Sequence, residues 1–241
     1  MQMLAMLTML VDHIGIVFFP EIPWLRCIGR LAMPLYAYAL VLGYGRTRSF
    51  RRYALRLAVI AVLSQLPYPY ALMGPDEPFE FNVVFTLLVS LAVLRLIDAA
   101  MPSASGDAPA FEQRGNAAAF GDLSPLAPRF VTSAVIAACG CLVLELLPFD
   151  YGAYLLLLVL IYRFTAGPVA AALHFFLNVL YILPLNFPAY QMFSLLSTLL
   201  VAYAPKALDM AGRVRVPRWL WLSFYPAHLA VLAFIRPFAA I

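Results

Sequence analysis

Asp12 and His13 are adjacent ionisable residues in the middle of an apolar segment, residues 1–19. An ionisable group at a transmembrane helix centre costs at least about 2.5–3.5 kcal/mol, so such groups face a bundle interior and indicate a functional site. Adjacent side chains point about 100° apart around a helix and need separate partners. Arg30 is the partner that we expect for Asp12, which leaves His13 free for chemistry. The alternative is a structural polar network that joins two helices.

The two other histidines also lie in apolar segments. We expect His174 to be a structural histidine whose hydrogen bonds are satisfied. His228 follows Pro226, which removes a backbone donor and could bend the helix toward a cavity. His228 is therefore the stronger functional candidate of the two.

Four further polar residues are predicted to lie at the same side of the bundle, where helices begin or turn. Each is by itself an ordinary cap or turn residue. Together with Asp12, His13 and Arg30 they would form a polar pocket that opens toward the outer half of a membrane. These substrate-pocket candidates are Asn82, Asp150, Tyr151 and Gln191.

On the opposite side, a short connection is rich in arginine. Such a basic edge is explained by membrane topology and by contact with anionic lipids. Because guanidinium groups suit phosphate recognition, it could also hold the phosphates of a cytoplasmic donor. The arginines are Arg46, Arg48, Arg51, Arg52 and Arg56.

The composition requires a membrane to surround these residues. Of the 241 residues, 64% are hydrophobic and 12% are charged, and the mean hydropathy is +0.89. An ordinary soluble domain is about half apolar and about a quarter charged, which excludes that class. The net charge of +4 reflects topology rather than nucleic-acid binding, since most basic residues lie in short connections. Cys27, Cys139 and Cys141 show no metal-binding spacing, so we expect no metal.

The pattern of apolar runs predicts an all-α, polytopic membrane bundle with about nine transmembrane helices. The chain forms a single domain, residues 1–241, with a flexible loop near residues 102–128. The helices are expected near 1–19, 24–44, 53–73, 81–101, 129–148, 151–166, 168–186, 189–204 and 218–238.

The basic connections set the expected orientation. The arginines from Arg46 to Arg56 and a second group, Lys206 to Arg218, should both be cytoplasmic. The acidic stretch Asp76 to Glu80 then lies outside. We expect a multi-pass protein of the bacterial cytoplasmic membrane with its N-terminus inside and its C-terminus outside.

Three short motifs follow one another along the chain: Asp-His-Ile-Gly from Asp12, Gly-Arg-Leu-Ala-x-Pro from Gly29 and Phe-Tyr-Pro-x-His-Leu from Phe224. In this order they resemble the TraX family of membrane proteins, named for the F-pilin acetylating protein of conjugative plasmids. The resemblance covers nearly the whole chain except the 102–128 loop. Further matching segments are Gly43 to Thr47, Arg52 to Leu57, Ser64 to Tyr68, Asn82 to Leu87, Asp150 to Gly152 and Gln191.

The resemblance implies a membrane acetyltransferase that uses cytoplasmic acetyl-CoA, distantly similar to the membrane acyltransferases that modify sugars. It implies that His13 is essential, and we expect it to act as a general base or as an acyl carrier. Asp12 and Arg30 would fix the local charge, and His228 or Tyr225 would polarise the thioester carbonyl.

The acceptor is expected to be an amine or hydroxyl of pilin or of an envelope polysaccharide, with membrane lipids as neighbours. Two other functions use the same residues: a transporter whose path they line, and a non-catalytic assembly factor.

Overall fold

The computed structural model describes residues 1–74, 77–101, 127–185, 187–204 and 216–239. Within these ranges the chain is helical and has no β-strand beyond an isolated bridge between Phe81 and Phe149. The helices are α1 (Gln2–Phe18), α2 (Pro23–Gly29), α3 (Ala32–Arg46), α4 (Phe50–Gln65), α5 (Tyr68–Leu72), α6 (Val83–Ala100), α7 (Ala127–Leu146), α8 (Gly152–Phe164), α9 (Gly167–Ile182), a 3₁₀ helix (Ala189–Phe193), α10 (Ser194–Tyr203) and α11 (Arg218–Ala239).

Within the described part of the chain, four segments are long and apolar enough to cross a membrane: Pro23–Arg46, Val83–Ala100, Arg129–Leu146 and Arg218–Phe238. The other apolar helices are shorter; α8, for example, has 13 residues and rises about 20 Å, against a hydrocarbon core of about 30 Å. The chain is therefore an all-helical membrane protein. The predicted count of about nine spans is not confirmed.

The two ends of the bundle differ in charge. At the acidic end, which holds Glu77, Glu80 and Asp150, the Asp150 N–H donates to the carbonyl of Phe81 at 2.9 Å. At the basic end, where α3 ends at Arg46, an ion pair joins two other helices. These are α6 and α8, through Asp98 and Arg163 at 3.0 Å, and Tyr44 of α3 donates to Asp98 at 2.8 Å.

Three predicted helices are interrupted, which corrects the sequence prediction. The segment 24–44 ends one helix at Gly29 and begins another at Ala32, where Pro34 lies in the first turn and lacks an N–H. The carbonyl of Leu31 in this break accepts a hydrogen bond from Ser197 at 2.8 Å.

Proline also explains the second interruption. The segment 53–73 divides after Gln65 at Pro67, whose ring cannot continue the hydrogen-bond ladder. The segment 189–204 begins as a 3₁₀ helix before α10. All three interruptions place residues beside the polar interior described below.

The apolar core lies between α3, α6, α8 and α9. Its fully buried side chains include Leu91, Leu94 and Leu158, and Tyr154 contributes its ring. A second apolar cluster, which contains Leu229 and Tyr225, packs α11 against α1, α3 and α4. The two clusters leave a cavity between them, with both apolar and polar residues on its wall.

Some predictions fall where the structure makes no description. The flexible loop predicted near 102–128 lies outside the described residues except at its end, since α7 begins at Ala127. Lys206, Arg213, Arg215 and Asp76 also lie outside them.

Candidate functional site

A cavity of about 530 Å³ runs through the interior of the bundle. Such a volume falls within the range of about 300–1,000 Å³ that is typical of ligand-binding clefts. Its polar lining at the acidic end includes Glu77, Glu80 and Asp150, and Arg56 lines it nearer the basic end. Asp12 and His13 lie on its wall. The cavity wall therefore carries groups from both ends of the bundle and four of the five predicted catalytic residues, all except His228.

His13 and His228 form a direct hydrogen bond. Nδ1 of His13 lies 2.8 Å from Nε2 of His228, and the two rings are only 17° from parallel. Both side chains are buried. The first and last helices of the chain are thus joined at the candidate base.

The hydrogen bond at the second ring nitrogen of His228 determines which nitrogens of the two histidines carry a proton. Nδ1 of His228 lies 2.7 Å from the carbonyl oxygen of Phe224, which can only accept a hydrogen bond, so Nδ1 carries the proton. In the neutral ring Nε2 of His228 is then an acceptor, and His13 must donate from Nδ1. This leaves a lone pair on Nε2 of His13. That atom is a base or nucleophile on a residue that lines the cavity.

Asp12 is held between two arginines. Its carboxylate lies 3.3 Å from Arg30 and 2.8 Å from Arg26. The expected contact with Arg30 is present, and His13 makes no ion pair with Asp12. Two cations balancing one buried carboxylate leave the cluster with a net positive charge beside the cavity.

Gly29 makes this clamp possible. α2 approaches α1 so closely that a Cβ atom at Gly29 would overlap the carboxylate of Asp12. Only glycine fits at this point of contact. The glycine of the Gly-Arg motif thereby explains how Arg30 reaches Asp12.

Arg30 itself has a precise environment. Its Nη1 donates to Oε1 of Gln191 at 3.3 Å, and its Nη2 donates to Asp12 at 3.3 Å. The guanidinium carbon lies 5.6 Å from the ring centres of both Tyr151 and Tyr190, within cation–π range. Its Nε is buried and has no hydrogen-bond partner.

Gln191 connects Arg30 to a second buried network. The side-chain nitrogen of Gln191 donates to the hydroxyl of Tyr154 at 3.1 Å, and that hydroxyl donates to Asn178 at 2.6 Å. His174 lies in the same network, 2.9 Å from Tyr154 and 2.5 Å from Thr198. Since both of its ring nitrogens have partners and it is fully buried, His174 is the satisfied structural histidine that we expected.

The four predicted substrate-pocket residues have different positions. Asp150 and Tyr151 line the cavity. Gln191 is 1% exposed and contacts Arg30 instead of the cavity. Asn82 caps α6 by accepting from Val84 N at 3.1 Å and is fully buried. The structure therefore brings only two of the four to the cavity wall.

The acidic residues at the cavity mouth have shifted pKa values. Burial, together with the nearby Glu80 carboxylate, raises the pKa of Asp150 to about 7, although Arg30 opposes the shift. Burial also raises the pKa of Glu80, although its hydrogen bond from Tyr68 acts in the other direction. A carboxyl with a pKa near 7 at the cavity mouth changes its charge near neutral pH.

Of the five arginines predicted to bind the acetyl donor, one lies on the cavity wall and four do not. Arg56 lines the cavity, where its guanidinium carbon lies 5.8 Å from the ring centre of Tyr53. The other four arginines do not reach the cavity wall. These are Arg46, Arg48, Arg51 and Arg52.

Three site residues were missed by the sequence reasoning. Arg26 is the nearer cation of Asp12, and its spacing of four residues before Arg30 on a helix could have revealed it. Tyr190 precedes Gln191 but has no distinctive sequence signal. Glu80 reaches the cavity because the loop before α6 folds back over the bundle end, which sequence periodicity does not indicate.

Comparison with known proteins gives two similarities. The family profile described as TraX protein matches residues 1–236. The chain is 30% identical over 108 residues to a protein of Dichelobacter nodosus named probable fimbrial assembly protein FimC, serogroup H1. That match covers 40% of this chain and 44% of the relative, so the chain spans less than half of the relative's length. No solved structure is significantly similar to this chain.

Proposed function

The chain belongs to the TraX family, and on this basis we propose that it is a membrane acetyltransferase, moving an acetyl group from acetyl-CoA to an amine or hydroxyl acceptor. The observation that carries the proposal is the His13–His228 pair, which leaves Nε2 of His13 unprotonated on a residue of the cavity wall. An acceptor hydroxyl or neutral amine requires a base of this kind to take its proton as it attacks a thioester.

In the base route, Nε2 of His13 takes the proton of the acceptor as the acceptor nitrogen or oxygen bonds to the thioester carbonyl carbon. The carbon–sulfur bond then breaks, and the imidazolium returns its proton to the CoA thiolate. Throughout, Nδ1 of His13 keeps its hydrogen bond to His228, which holds the ring in one tautomer. In the alternative carrier route, Nε2 itself attacks the carbonyl carbon and CoA leaves as the thiolate. The acceptor then attacks acetyl-His13, the bond between the acetyl carbon and Nε2 breaks, and the proton lost by the acceptor passes to the thiolate.

His228 acts through His13 and not on the thioester. Both of its ring nitrogens are occupied, by Phe224 and by His13, so it has no free donor for a carbonyl oxygen. Of the two residues predicted to polarise the thioester, His228 or Tyr225, we therefore favour Tyr225. Tyr225 lines the cavity and keeps that possibility.

The donor would enter from the basic end, which we place on the cytoplasmic side of a bacterial inner membrane. Arg56 is suited to a phosphate of CoA, because it is the one residue of the predicted arginine group that lines the cavity. The acceptor would meet His13 from the acidic end, in the outer half of the membrane. This arrangement puts the N-terminus inside and the C-terminus outside.

For the acceptor we propose pilin or an envelope polysaccharide. The partial relative is named as a fimbrial assembly protein, which favours a pilus-related substrate. The relative matches over only 44% of its length, so this support is limited to that shared stretch.

The experiment is transfer by the purified protein in lipid nanodiscs, supplied with acetyl-CoA labelled with ¹³C in the acetyl group. Mature pilin and envelope polysaccharide are offered separately, and mass spectrometry detects the labelled product. We expect label on one of them in a CoA-releasing reaction. Absence of label from both, with folded protein that binds acetyl-CoA, would contradict acetyl transfer to these acceptors.

Transport is the second candidate, because the cavity has lining residues from both ends and three helices are interrupted. The same nanodisc reaction separates the two functions, since transport leaves acetyl-CoA intact and releases no free thiol.

A further inference from the structure

Arg30 lines the cavity and carries a buried donor that has no partner. Its side chain is nine-tenths buried, at 9% exposure, and it lines the cavity together with His13. The Nε atom has no hydrogen-bond partner, whereas buried N–H groups in proteins are nearly always hydrogen-bonded. Arg163 also has an unpartnered Nε, but Arg30 is the one of the two that lines the cavity, so a ligand there can supply the missing acceptor.

The remaining contacts of Arg30 define which ligand atom it can take. A carboxylate or phosphate prefers two parallel hydrogen bonds from the guanidinium fork. Each terminal nitrogen already donates one hydrogen, to Gln191 or to Asp12, and Nε is the guanidinium nitrogen without a partner, so we assign its single N–H to one ligand oxygen. The cluster of Arg26, Arg30 and Asp12 has a net positive charge, which favours an oxygen that becomes negative.

The orientation of Arg30 is imposed by its neighbours. Gln191 is fully enclosed and uses its nitrogen on Tyr154, so only its oxygen can face Arg30. The rings of Tyr151 and Tyr190 both lie within cation–π distance of the guanidinium. Preorganised donors of this kind stabilise charge without the cost of reorientation during a reaction.

Resting on the acetyl-transfer function proposed above, we propose that the Nε–H of Arg30 donates a hydrogen bond to the acyl oxygen of the thioester. As the acceptor bonds to the carbonyl carbon, the carbonyl π electrons move to this oxygen, which becomes an oxyanion. When the C=O bond re-forms, the carbon–sulfur bond breaks and CoA leaves as the thiolate. Arg30 is then a catalytic residue, and Gln191 is a positioning residue that acts through it.

The test compares Arg30→Lys, which keeps the charge but loses Nε, with the wild-type protein. Arg163→Lys is the matched control, because Arg163 also pairs with an aspartate and has an unpartnered Nε, yet does not line the cavity. The readouts are the single-turnover rate of acetyl transfer and the Kd for acetyl-CoA. Tyr225→Phe tests the competing donor.

We expect Arg30→Lys to lower the transfer rate by about 100- to 1,000-fold while the Kd stays within about threefold of wild type. Arg163→Lys should keep both values within about threefold. A transfer rate of Arg30→Lys near the wild-type rate would overturn the assignment. A loss of rate of about 100- to 1,000-fold in Tyr225→Phe that Arg30→Lys does not show would assign the hydrogen bond to Tyr225 instead. Inactive wild-type protein would instead count against the proposed function.

Gln191 has its own comparison. Gln191→Leu should lower the rate by about tenfold with little change in Kd, and Gln191→Glu should restore much of it because its carboxylate still accepts from Arg30. Equal losses in both variants would show a merely structural role.

A structure of the wild-type protein with an acetyl-CoA analogue tests directly whether Arg30 binds the acyl oxygen. Acetonyl-CoA has a methylene group between sulfur and the carbonyl, so it cannot transfer its acyl group. In the complex we expect the ketone oxygen about 2.7–3.1 Å from Nε of Arg30. A ketone oxygen bonded to another donor would exclude the proposal.

Discussion

Nδ1 of His13 and Nε2 of His228 lie 2.8 Å apart, although 215 positions separate the two residues in the chain. The bond joins α1 to α11, and the carbonyl of Phe224 orients its far side. One tautomer of the pair therefore follows from the backbone of α11. The lone pair on His13 is a consequence of how the last helix packs against the first.

The orientation in the membrane can be tested at the two ends of the bundle. In a cysteine-free background, Arg51→Cys should be protected from an impermeant thiol reagent in intact cells, and Glu77→Cys should be labelled. The basis is the excess of arginine at the end that holds Arg51. Permeabilised cells provide the control for reactivity at both positions. External labelling of position 51 would reverse the proposed topology.

Gly29→Ala should destabilise the protein by about 3–5 kcal/mol, because the new Cβ would push the Asp12 carboxylate away from its two arginines. The measurement is unfolding in mixed micelles, followed by helix content. Gly45→Ala is the matched control, since a Cβ there would meet nothing within 4 Å. That control should be neutral or more stable by up to about 1 kcal/mol. Equal stability of the two variants would refute the role of Gly29.

Much of the helix layout could be predicted from the apolar runs and the charged, proline and glycine residues that bound them. The predicted segments 81–101 and 218–238 correspond closely to α6 (Val83–Ala100) and α11 (Arg218–Ala239). The interruptions were missed because a proline in an apolar run can begin a helix, bend it or end it. Packing decides between these outcomes; at Leu31 the hydroxyl of Ser197 accommodates the break.

The candidate site could be predicted in part. The contact between Asp12 and Arg30 follows from the cost of a lone ionisable group in an apolar helix. The bond between His13 and His228 could not be derived, because no local pattern relates helices at opposite ends of the chain. Asn82 and Gln191 have polar side chains that serve a helix cap and an arginine, and sequence does not distinguish these uses from a pocket wall.

Asp150 predicts a defined dependence of stability on pH. Its pKa is raised by burial to about 7 in the folded protein, against 3.8 for the unperturbed group, so the folded state binds the proton more tightly. The stability that protonated Asp150 contributes is then fully present below about pH 4 and is lost as pH rises through about 7. Asp150→Asn should remove the decrease in stability that the ionisation of Asp150 causes as pH rises.

The measurement is the midpoint of thermal unfolding of both proteins between pH 4 and pH 8, which brackets the range in question. We expect Asp150→Asn to be more stable than wild type at the alkaline limit and similar at the acidic limit. Parallel curves for the two proteins would show that Asp150 keeps an ordinary pKa.

Arg56→Gln should weaken binding of acetyl-CoA more than the same change at Arg51. A charge-assisted hydrogen bond contributes about 1.5–3 kcal/mol, which corresponds to roughly a 10- to 100-fold rise in Kd. The reason is position: Arg56 lines the cavity, whereas Arg51 is exposed and does not. Isothermal titration in nanodiscs gives the Kd values. Identical Kd values for wild type and Arg56→Gln would place the donor elsewhere.

The base assigned to His13 is tested by His13→Ala, measured in cells as ¹³C-acetyl incorporated into envelope proteins and polysaccharides, with the membrane abundance of the variant determined in parallel. His174→Ala is the matched control for the loss of a buried histidine, since its effect should fall on abundance. A positioned general base contributes roughly 10²- to 10⁴-fold, so we expect acetylation per folded His13→Ala molecule to fall by that factor. Acetylation at the wild-type level in every species would show that His13 is structural and that the acetyl-transfer mechanism is wrong.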